Sequence, residues 1–460
     1  MAVITRHVLT IRNANANDIR KVHYRKCGNG PALLMIHQSP RSSKEYIALM
    51  ERWGEHFTCI APDTPGFGQS DPLPEVDGQL PDINDFADGL LEFIDALGIA
   101  PTLAYGFHSG AIILMTALKR QPTAFRAVAM GGYAVWNEEE MRIFGERYLP
   151  EFHPAEYGEH MTWLWHRIVE QSWFFPWFDT RDEARLPNAH ADPLRAQEWV
   201  DDLLDAGNAY RAGYGAVLHA PRDIPEDNGA IPPCRITAYD GDPLQPHIDR
   251  LGTLPTGWDA YKVSTPEEHQ AESLAFLLSH ASDADVPSLP QDAGEGWLEI
   301  DGKLLHWCGQ KGASRLMLHA PAAELSDPGE DAIAIDLPGH GQSDDFDDIQ
   351  SVIEHAMTQF KCTQAVYPAL PAGDPDQLYP DLAPERFGAH LQRAWIAARA
   401  EAFFKPWYSA SRENAVKVDQ AAITAQAIHA RALARLRAGR EAALAWHRHL
   451  ARMDVRPPDE

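Results

Sequence analysis

The stretch that most constrains the fold is residues 101–122, which read PTLAYGFHSGAIILMTALKRQP. A short apolar run leads into the pentapeptide GFHSG at residues 106–110, and an apolar helical pattern then continues to a proline. This order predicts a strand, a tight turn and a helix. Glycine has no side chain, so the glycines at both ends of the pentapeptide would let neighbouring chain segments pass close to the turn.

Other apolar runs predict further strands that alternate with helices. The run ALLMI at residues 32–36 fits a strand buried on both faces. Further strands are predicted at residues 22–25, 58–62, 127–130, 234–239 and 259–264. Strands alternating with helices indicate an α/β fold with a mainly parallel sheet.

Two loops complete a recognisable set of motifs. The tetrapeptide HQSP occupies residues 37–40, and residues 61–71 read APDTPGFGQSD. Together with GFHSG, in this order and spacing, these loops resemble landmarks of the α/β-hydrolase superfamily. The resemblance implies an α/β-hydrolase fold whose nucleophile elbow is centred on His108, where the family usually has Ser, Cys or Asp.

The resemblance also implies an oxyanion hole formed by the backbone N–H groups of Ser39 and Ser109. The sequence departs from the family here, because Gln38 replaces the usual glycine. His37 is interpreted as a pocket-side core histidine bonded to neighbouring backbone rather than as a reacting group.

The alternative centre of the elbow is Ser109. In that frame the residue two places earlier would be Phe107, whose ring would crowd the close packing that an elbow requires. The glycine positions therefore favour His108.

An acid and a second histidine follow at the family's usual interval. Asp242 lies in the sequence DPL after the strand at residues 234–239, and His269 follows it by 27 residues. The resemblance implies that they are the triad acid and base. A competing interpretation is that TPEE at residues 265–268 is a helix N-terminus, with His269 inside the opening turns of the helix.

Residues 137–220 are predicted to form a helical lid that is rich in aromatic side chains. A dense aromatic lid suits a small apolar or aromatic ligand. His160, Trp165 and Trp177 are candidates for the pocket or the lid, and most of the other rings are expected to pack the lid on the sheet.

The second half of the chain repeats parts of the first. The loop at residues 61–71 recurs at 334–344 with eight of eleven positions identical, at an offset of 273, and the lid pattern recurs at an offset of 230. His160 matches His390 across the copies, and packing is the favoured interpretation of that pair. The change in offset means that 43 residues are missing from the second copy, an interval that contains the elbow and its helix in the first. The second copy is therefore expected to lack an elbow and counterparts of the acid and the late histidine.

These observations predict three parts of the chain. Residues 1–280 form an α/β-hydrolase domain, 281–295 a polar linker, and 296–460 a truncated tandem α/β-hydrolase-like lobe with its own helical lid. The second lobe would cover the first, shape its pocket or form a homodimer.

Composition excludes several function classes. Forty basic residues against 66 acidic ones give a formal charge of −26, which disfavours binding to nucleic acid or an anionic membrane. Five scattered cysteines without a C-x-x-C spacing, and no apolar run of membrane-spanning length, indicate a cytoplasmic protein. No phosphate-binding loop or metal-ligand spacing is present, so neither a cofactor nor a metal is expected.

Three functional interpretations remain open. His108 could act as a general base or nucleophile supported by Asp242 and His269, or Ser109 could swing into place as a displaced hydrolase nucleophile. In the third, the elbow is catalytically silent and the domain binds a small ligand or partner. The presence of both Asp242 and His269 favours an enzyme. Its substrate would be a small, fairly apolar ester, lactone or C–C bonded ketone, and a lyase would use the same groups.

Overall fold

The structure is a computed structural model that describes residues 3–12, 19–227, 229–282, 286–290 and 294–453. The chain divides into two compact units. Unit 1 comprises Met1–Phe152, Arg167–Ala191 and Glu198–Gln291, and unit 2 comprises His153–His166, Asp192–Gln197 and Asp292–Glu460. Two segments of the predicted lid thus group with unit 2. The predicted linker at 281–295 lies partly outside the described residues.

Unit 1 contains an eight-stranded sheet in the order β1-β2-β4-β3-β5-β6-β7-β8. Its strands are β1 (Thr5–Arg12), β2 (Ile19–Cys27), β3 (Ala32–Ile36), β4 (Thr58–Pro62), β5 (Thr102–Phe107), β6 (Phe125–Gly131), β7 (Cys234–Tyr239) and β8 (Asp259–Val263). The pairs β1–β2 and β2–β4 are antiparallel, and the strands from β4 to β8 run parallel. The predicted α/β-hydrolase fold is therefore confirmed for this unit.

The α-helices up to residue 280 lie between or after these strands in the chain. They are α1 (Ile47–Trp53), α2 (Ile83–Leu97), α3 (Ser109–Arg120), α4 (Glu138–Tyr148), α5 (Glu159–Gln171), α6 (Pro193–Ala206), α7 (Tyr210–Leu218) and α8 (Pro266–Ser279). Helix α3 is buried along nearly its whole length, because its side chains from Ser109 to Leu118 are almost all apolar or small. That burial holds its first turn rigidly at the carboxyl end of β5.

Unit 2 contains a five-stranded sheet in the order β13-β11-β12-β10-β9. Its strands are β9 (Glu295–Ile300), β10 (Lys303–Gly309), β11 (Arg315–Leu318), β12 (Ala332–Ile335) and β13 (Gln364–Val366). Its helices are α9 (Ile349–Phe360), α10 (Pro375–Leu378), α11 (Ala389–Glu401), α12 (Ala425–Arg437) and α13 (Arg440–Arg452). This order has the same pattern of pairing and direction as β5-β3-β4-β2-β1 of unit 1.

One detail of the repeat concerns the elbow that the second copy is expected to lack. Strand β13 takes the sheet position that the elbow strand β5 holds in unit 1, so the strand part of the elbow has a counterpart. Within the described residues, no helix like α3 follows it, since the next helix is the four-residue α10. The second copy therefore keeps a strand at this position, and a counterpart of the elbow helix is absent from its described residues.

The two copies of a buried histidine–aspartate pair show how closely the loops correspond. His23 Nδ1 lies 2.8 Å from Asp63 Oδ2 in unit 1, and His306 Nδ1 lies 2.8 Å from Asp336 Oδ2 in unit 2. Both aspartates stand at the start of the repeated loop, so each pair ties that loop to the neighbouring antiparallel strand.

Within unit 2 the two lid patterns make reciprocal contacts. The Trp395 ring packs on Gly158 and on His160, with His and Trp ring centroids 4.9 Å apart. The Trp165 ring packs in the same way on Gly388 and His390, at 5.1 Å. Both histidines are buried, and each ring contacts a tryptophan of the other lid pattern.

No helix within the described residues is long and apolar enough to cross a membrane.

Candidate active site

The turn after β5 has the strained geometry that the glycine spacing requires. His108 adopts φ 48° and ψ −110°, between the last residue of β5 and the first residue of α3. A left-handed φ is costly for a side chain other than glycine, so the surrounding structure has to hold it. His108 N–H donates to the Gly131 carbonyl at 2.9 Å, which secures the turn to β6.

The two bracketing glycines have no room for a side chain. A Cβ on Gly110 would lie 1.9 Å from the Ile36 carbonyl oxygen, and one on Gly106 would lie 2.8 Å from the Gly110 carbonyl carbon. Distances this short to backbone atoms cannot be relieved by moving a side chain. Packing thus places His108, rather than Ser109, at the centre of the turn.

The His108 ring is paired with the predicted acid. Its Nε2 lies 3.0 Å from Asp242 Oδ1, and the ring stacks on Phe107 with centroids 4.1 Å apart. The side chain is 22% exposed. Within the described residues, no protein group is hydrogen-bonded to Nδ1. If Nε2 carries the proton donated to the carboxylate, the lone pair of Nδ1 is available to accept a proton from a ligand or water.

Asp242 is buried on the loop after β7. Its Oδ1 accepts from His108 and from the Leu244 amide at 2.8 Å, whereas Oδ2 has no hydrogen-bond partner within the described residues. Burial alone would raise the pKa of Asp242, but the His108 ring, its hydrogen bond and the Leu244 amide outweigh that effect, so the pKa is lowered. The carboxylate is therefore ionised at neutral pH beside the imidazole.

Gly132 makes the space in which this pair meets. It has φ 56°, and a Cβ there would lie 2.3 Å from His108 Cδ2 and 2.8 Å from Asp242 Oδ2. Both its backbone conformation and its lack of a side chain are needed for the contact between His108 and Asp242.

The two predicted oxyanion residues are in contact with each other. The Ser39 amide donates to Ser109 Oγ at 3.1 Å. Within the described residues, no hydrogen bond joins the Ser109 hydroxyl to a histidine. The Ser109 N–H belongs to the first turn of α3, where amides have no acceptor inside the helix and the helix dipole favours negative charge.

His269 does not pair with Asp242 in this structure. It lies in the first turns of α8, whose N-cap Thr265 accepts from the Glu268 amide at 3.1 Å, as in the helical interpretation of that segment. Its ring nitrogens lie 2.8 Å from the Tyr105 hydroxyl and 2.6 Å from the Thr237 hydroxyl. Burial lowers the pKa of His269 to about 4, so the ring is neutral at pH 7.

A cavity of about 180 Å³ opens beside His108 and Ser109. Its walls are mainly aromatic and apolar, with a few polar groups, as is usual for small-molecule sites. It is lined by Gln38, Ser39, His108, Ser109, Ile112, Trp136, Tyr148, Gln171, Phe175, Leu186, Trp199, Tyr214, Val217, Leu218, Pro243 and Leu244.

The other predicted pocket or lid residues do not line this cavity. Both ring nitrogens of His37 are hydrogen-bonded to backbone. Nδ1 lies 2.9 Å from the Gln38 carbonyl oxygen, and Nε2 accepts from the Thr64 amide at 2.9 Å. Trp177 donates to the Tyr148 carbonyl at 3.3 Å. His160 and Trp165 belong to unit 2.

Several cavity residues were not singled out by sequence reasoning. Trp136 lies in the loop before α4, and Tyr148, Trp199 and Tyr214 lie on α4, α6 and α7, so only tertiary packing brings these rings together. The general signal, an aromatic lid, was present in the sequence, but nothing in it distinguished rings that face the ligand from rings that face the sheet. Within the described residues, no group of three or more His, Cys, Asp or Glu side chains is placed to hold a metal ion.

Comparison with known proteins finds similarity over part of the chain. Residues 31–146 match the family model described as alpha/beta hydrolase fold. The chain is 28% identical over 138 residues to haloalkane dehalogenase 2 of Mycobacterium tuberculosis, which covers 30% of this chain and 47% of that protein. It is 30% identical over 111 residues to (E)-2-((N-methylformamido)methylene)succinate hydrolase of Acinetobacter baylyi, covering 24% and 41% respectively.

A solved esterase from Thermogutta terrifontis covers 60% of this chain and 99% of its own, with 15% identity and a TM-score of 0.46. The chain spans less than half the length of the curated relatives it matches. The residues that match the family model carry β3 to β6, the elbow and α3, so this part of unit 1 is similar to the α/β-hydrolase superfamily.

Proposed function

We propose that unit 1 is a hydrolytic enzyme in which the elbow histidine, His108, is the general base. The observation that carries this proposal is the 3.0 Å contact between His108 Nε2 and Asp242 Oδ1, at the strained centre of the elbow and at the mouth of the cavity. An acid that orients one imidazole nitrogen leaves the other to move a proton, which is the logic of a catalytic dyad.

The reaction follows from these positions. His108 Nδ1 takes a proton from water while the water oxygen forms a bond to the carbonyl carbon of an ester or lactone. The carbonyl π electrons move to the oxygen, which becomes an oxyanion near the first turn of α3 and the Ser109 N–H. Asp242 stabilises the imidazolium. The oxyanion then re-forms the carbonyl, the C–O bond to the leaving group breaks, and the imidazolium returns its proton to the leaving oxygen, giving a carboxylic acid and an alcohol.

Ser109 has a supporting role in this proposal. Its Oγ accepts from the Ser39 amide, so its hydroxyl proton is free to point towards a developing oxyanion in the cavity. A nucleophilic role would require a base to accept that proton, and the histidine beside it bonds to Asp242 instead. His269 contributes by packing and by its bonds to Tyr105 and Thr237 behind the dyad.

The substrate class is a small, fairly apolar ester, lactone or C–C bonded ketone that fits a cavity of about 180 Å³ with aromatic walls. The curated relatives are named as hydrolases of a methylenesuccinate amide and as a haloalkane dehalogenase, and these names add two substrate classes to the assay. That unit 2 forms a homodimer or covers the site is a separate proposal.

The test compares wild type with His108→Ala, His108→Gln and Ser109→Ala. The panel comprises p-nitrophenyl esters, lactones, aromatic 1,3-diketones, a methylenesuccinate amide and a haloalkane, with folding checked by circular dichroism. We expect both His108 variants to lose about 10²-fold or more in kcat, and Ser109→Ala to lose about 10-fold. Equal loss in the two His108 variants would show that the ring, rather than steric bulk, is required.

Two outcomes would overturn the proposal. Loss of turnover in Ser109→Ala with retention in His108→Ala would make serine the reacting group. No turnover by folded wild type anywhere in the panel would favour a ligand-binding protein with a silent elbow.

A further inference from the structure

A buried arginine lies behind the wall of the cavity without an acidic partner. Arg167 on α5 is 1% exposed, and it is one of the largest fully buried side chains of the chain. Its Nη1 donates to Gln171 Oε1 at 2.7 Å. Its Nε and Nη2 are buried and have no hydrogen-bond partner within the described residues, where no carboxylate forms an ion pair with it either.

Such an arrangement is unfavourable for the protein alone. A guanidinium stays protonated, and burying it without a carboxylate leaves its loss of hydration uncompensated. Two aromatic rings lie close to it, since its central carbon is 5.4 Å from the Trp177 ring centroid and 5.8 Å from that of Tyr210. Cation–π contacts offset part of the cost but do not occupy the two free donors.

The positive charge is connected to the cavity through three lining residues. Gln171, which accepts from Arg167, lines the cavity, and so do Tyr148 and Tyr214, whose hydroxyl oxygens lie 3.1 Å apart. Burial raises the pKa of both tyrosines, and the charge of Arg167 opposes that rise, as expected for a cation close to the two rings. The hydroxyls therefore stay protonated, and the one whose proton is not used in their mutual hydrogen bond can donate to an anion.

Building on the proposed function, we propose that the cavity selects, among small substrates with an otherwise apolar body, those that carry a carboxylate, and that Arg167 is the residue responsible for this selection. The reacting carbonyl lies at the end formed by His108 and Ser109. The carboxylate lies at the wall formed by Gln171, Tyr148 and Tyr214, where the charge of Arg167 compensates it. The strongly acidic chain would otherwise repel anionic substrates, so a local buried cation is what makes their binding favourable.

The first experiment measures binding without turnover. Benzoate and benzamide, which have similar shapes and differ in charge, are titrated calorimetrically into the full-length wild type, Arg167→Met, Arg167→Lys and Arg142→Met. Arg142 is a matched control, because its side chain is 71% exposed and pairs with an exposed glutamate on the lid helix α4. We expect wild type and Arg142→Met to prefer benzoate at least about 10-fold, Arg167→Met to lose the preference and Arg167→Lys to keep part of it.

The midpoint of thermal unfolding separates selection by charge from a purely structural role of Arg167, because loss of a packing residue would lower the midpoint. Arg167→Met removes a buried charge that has no acid partner, so we expect an unchanged or higher midpoint in the absence of ligand. A lower midpoint together with retained benzoate preference would make Arg167 a packing residue and overturn the proposal. Equal binding of benzoate and benzamide by wild type would overturn it whether or not the variants fold.

The second experiment separates this proposal from the catalytic one. The anionic ester p-nitrophenyl hydrogen succinate is compared with neutral p-nitrophenyl butanoate. We expect Arg167→Met to raise KM for the anionic ester about 10-fold or more with little change in kcat, and to leave the neutral ester unaffected. Loss of kcat for both esters would overturn selection by charge. The calorimetric result does not depend on turnover, so a failure of the His108 mechanism would leave the ligand preference measurable.

Discussion

Gly132→Ala is the substitution that tests the His108–Asp242 pair most directly without altering either residue. Gly132 has φ 56°, a conformation that costs alanine about 1–2 kcal/mol. The added methyl group would also lie 2.3 Å from His108 Cδ2 and 2.8 Å from Asp242 Oδ2. Because contacts below 3 Å cannot persist, the imidazole and the carboxylate have to move apart by an appreciable fraction of an ångström.

Gly207→Ala is a matched control for the backbone cost alone. Gly207 has φ 54°, and a Cβ there would meet nothing within 4 Å. We expect both variants to lose about 1–2 kcal/mol in the free energy of unfolding from backbone strain, and Gly132→Ala to lose about 1–3 kcal/mol more from overpacking. Denaturant unfolding followed by circular dichroism measures both values.

Activity should separate the two variants further. A displacement of catalytic groups by about 1 Å can reduce the rate about 10²-fold, so we expect Gly132→Ala to lose about 10²-fold in kcat against the best substrate of the panel. Gly207→Ala should retain wild-type kcat. If Gly132→Ala were as active as Gly207→Ala while remaining folded, the reasoning that this glycine holds open the space for a catalytic pair would be refuted.

Three further predictions concern the acid, the neutral histidine and the lid. Asp242→Asn should reduce kcat about 10²- to 10⁴-fold with little change in KM, because an amide can stabilise the wrong tautomer of the His108 imidazole. A kcat equal to that of wild type would exclude the His108–Asp242 dyad. The pKa of His269 is lowered from 6.5 to about 4, so its neutral form stabilises the folded state above pH 6.5, and that stability is lost as pH falls from 6.5 towards 4. Wild type should therefore lose about 2 kcal/mol more than His269→Gln between pH 7 and pH 5 in urea unfolding, and equal losses would contradict this. Gly158→Ala should cost about 2 kcal/mol or more, because its Cβ would lie 2.7 Å from the Trp395 ring, whereas Gly302→Ala, with φ 79° and open space around it, should cost about 1–2 kcal/mol; equal costs would argue against close packing there.

The parts of the fold that were predictable from sequence are those with local causes. The buried runs at residues 32–36 and 234–239 became β3 and β7 with the predicted bounds, because alternation with helices and full burial leave a short apolar run few other options. The antiparallel strand β1 was not predicted, and part of the reason is its mixed pattern of polar and apolar residues at the edge of the sheet. Strand β13 at the sheet position of β5 was not predicted either, because sequence offsets record how many residues are absent but not which strands remain.

The candidate site likewise has a part that could be predicted from sequence and a part that could not. That His108 is central to the elbow could be derived from sequence alone, since the requirement for glycine two residues before and after is a short-range steric rule. Which histidine meets Asp242 could not be derived. His269, 27 residues after Asp242, has the family's spacing, yet Asp242 bonds to His108, which lies 134 residues away in the chain. The reason is that α8 places the His269 ring beside the hydroxyls of Tyr105 and Thr237.

The sequence by itself therefore determined the α/β framework and the identity of the residue at the elbow, since both follow from periodicity and from the space around single backbone positions. Only the tertiary structure decided the partner of Asp242, the residues that line the cavity and the burial of Arg167 without an acid. The physical reason is that hydrogen bonding and desolvation depend on distances between segments far apart in the chain, and no local pattern encodes these distances.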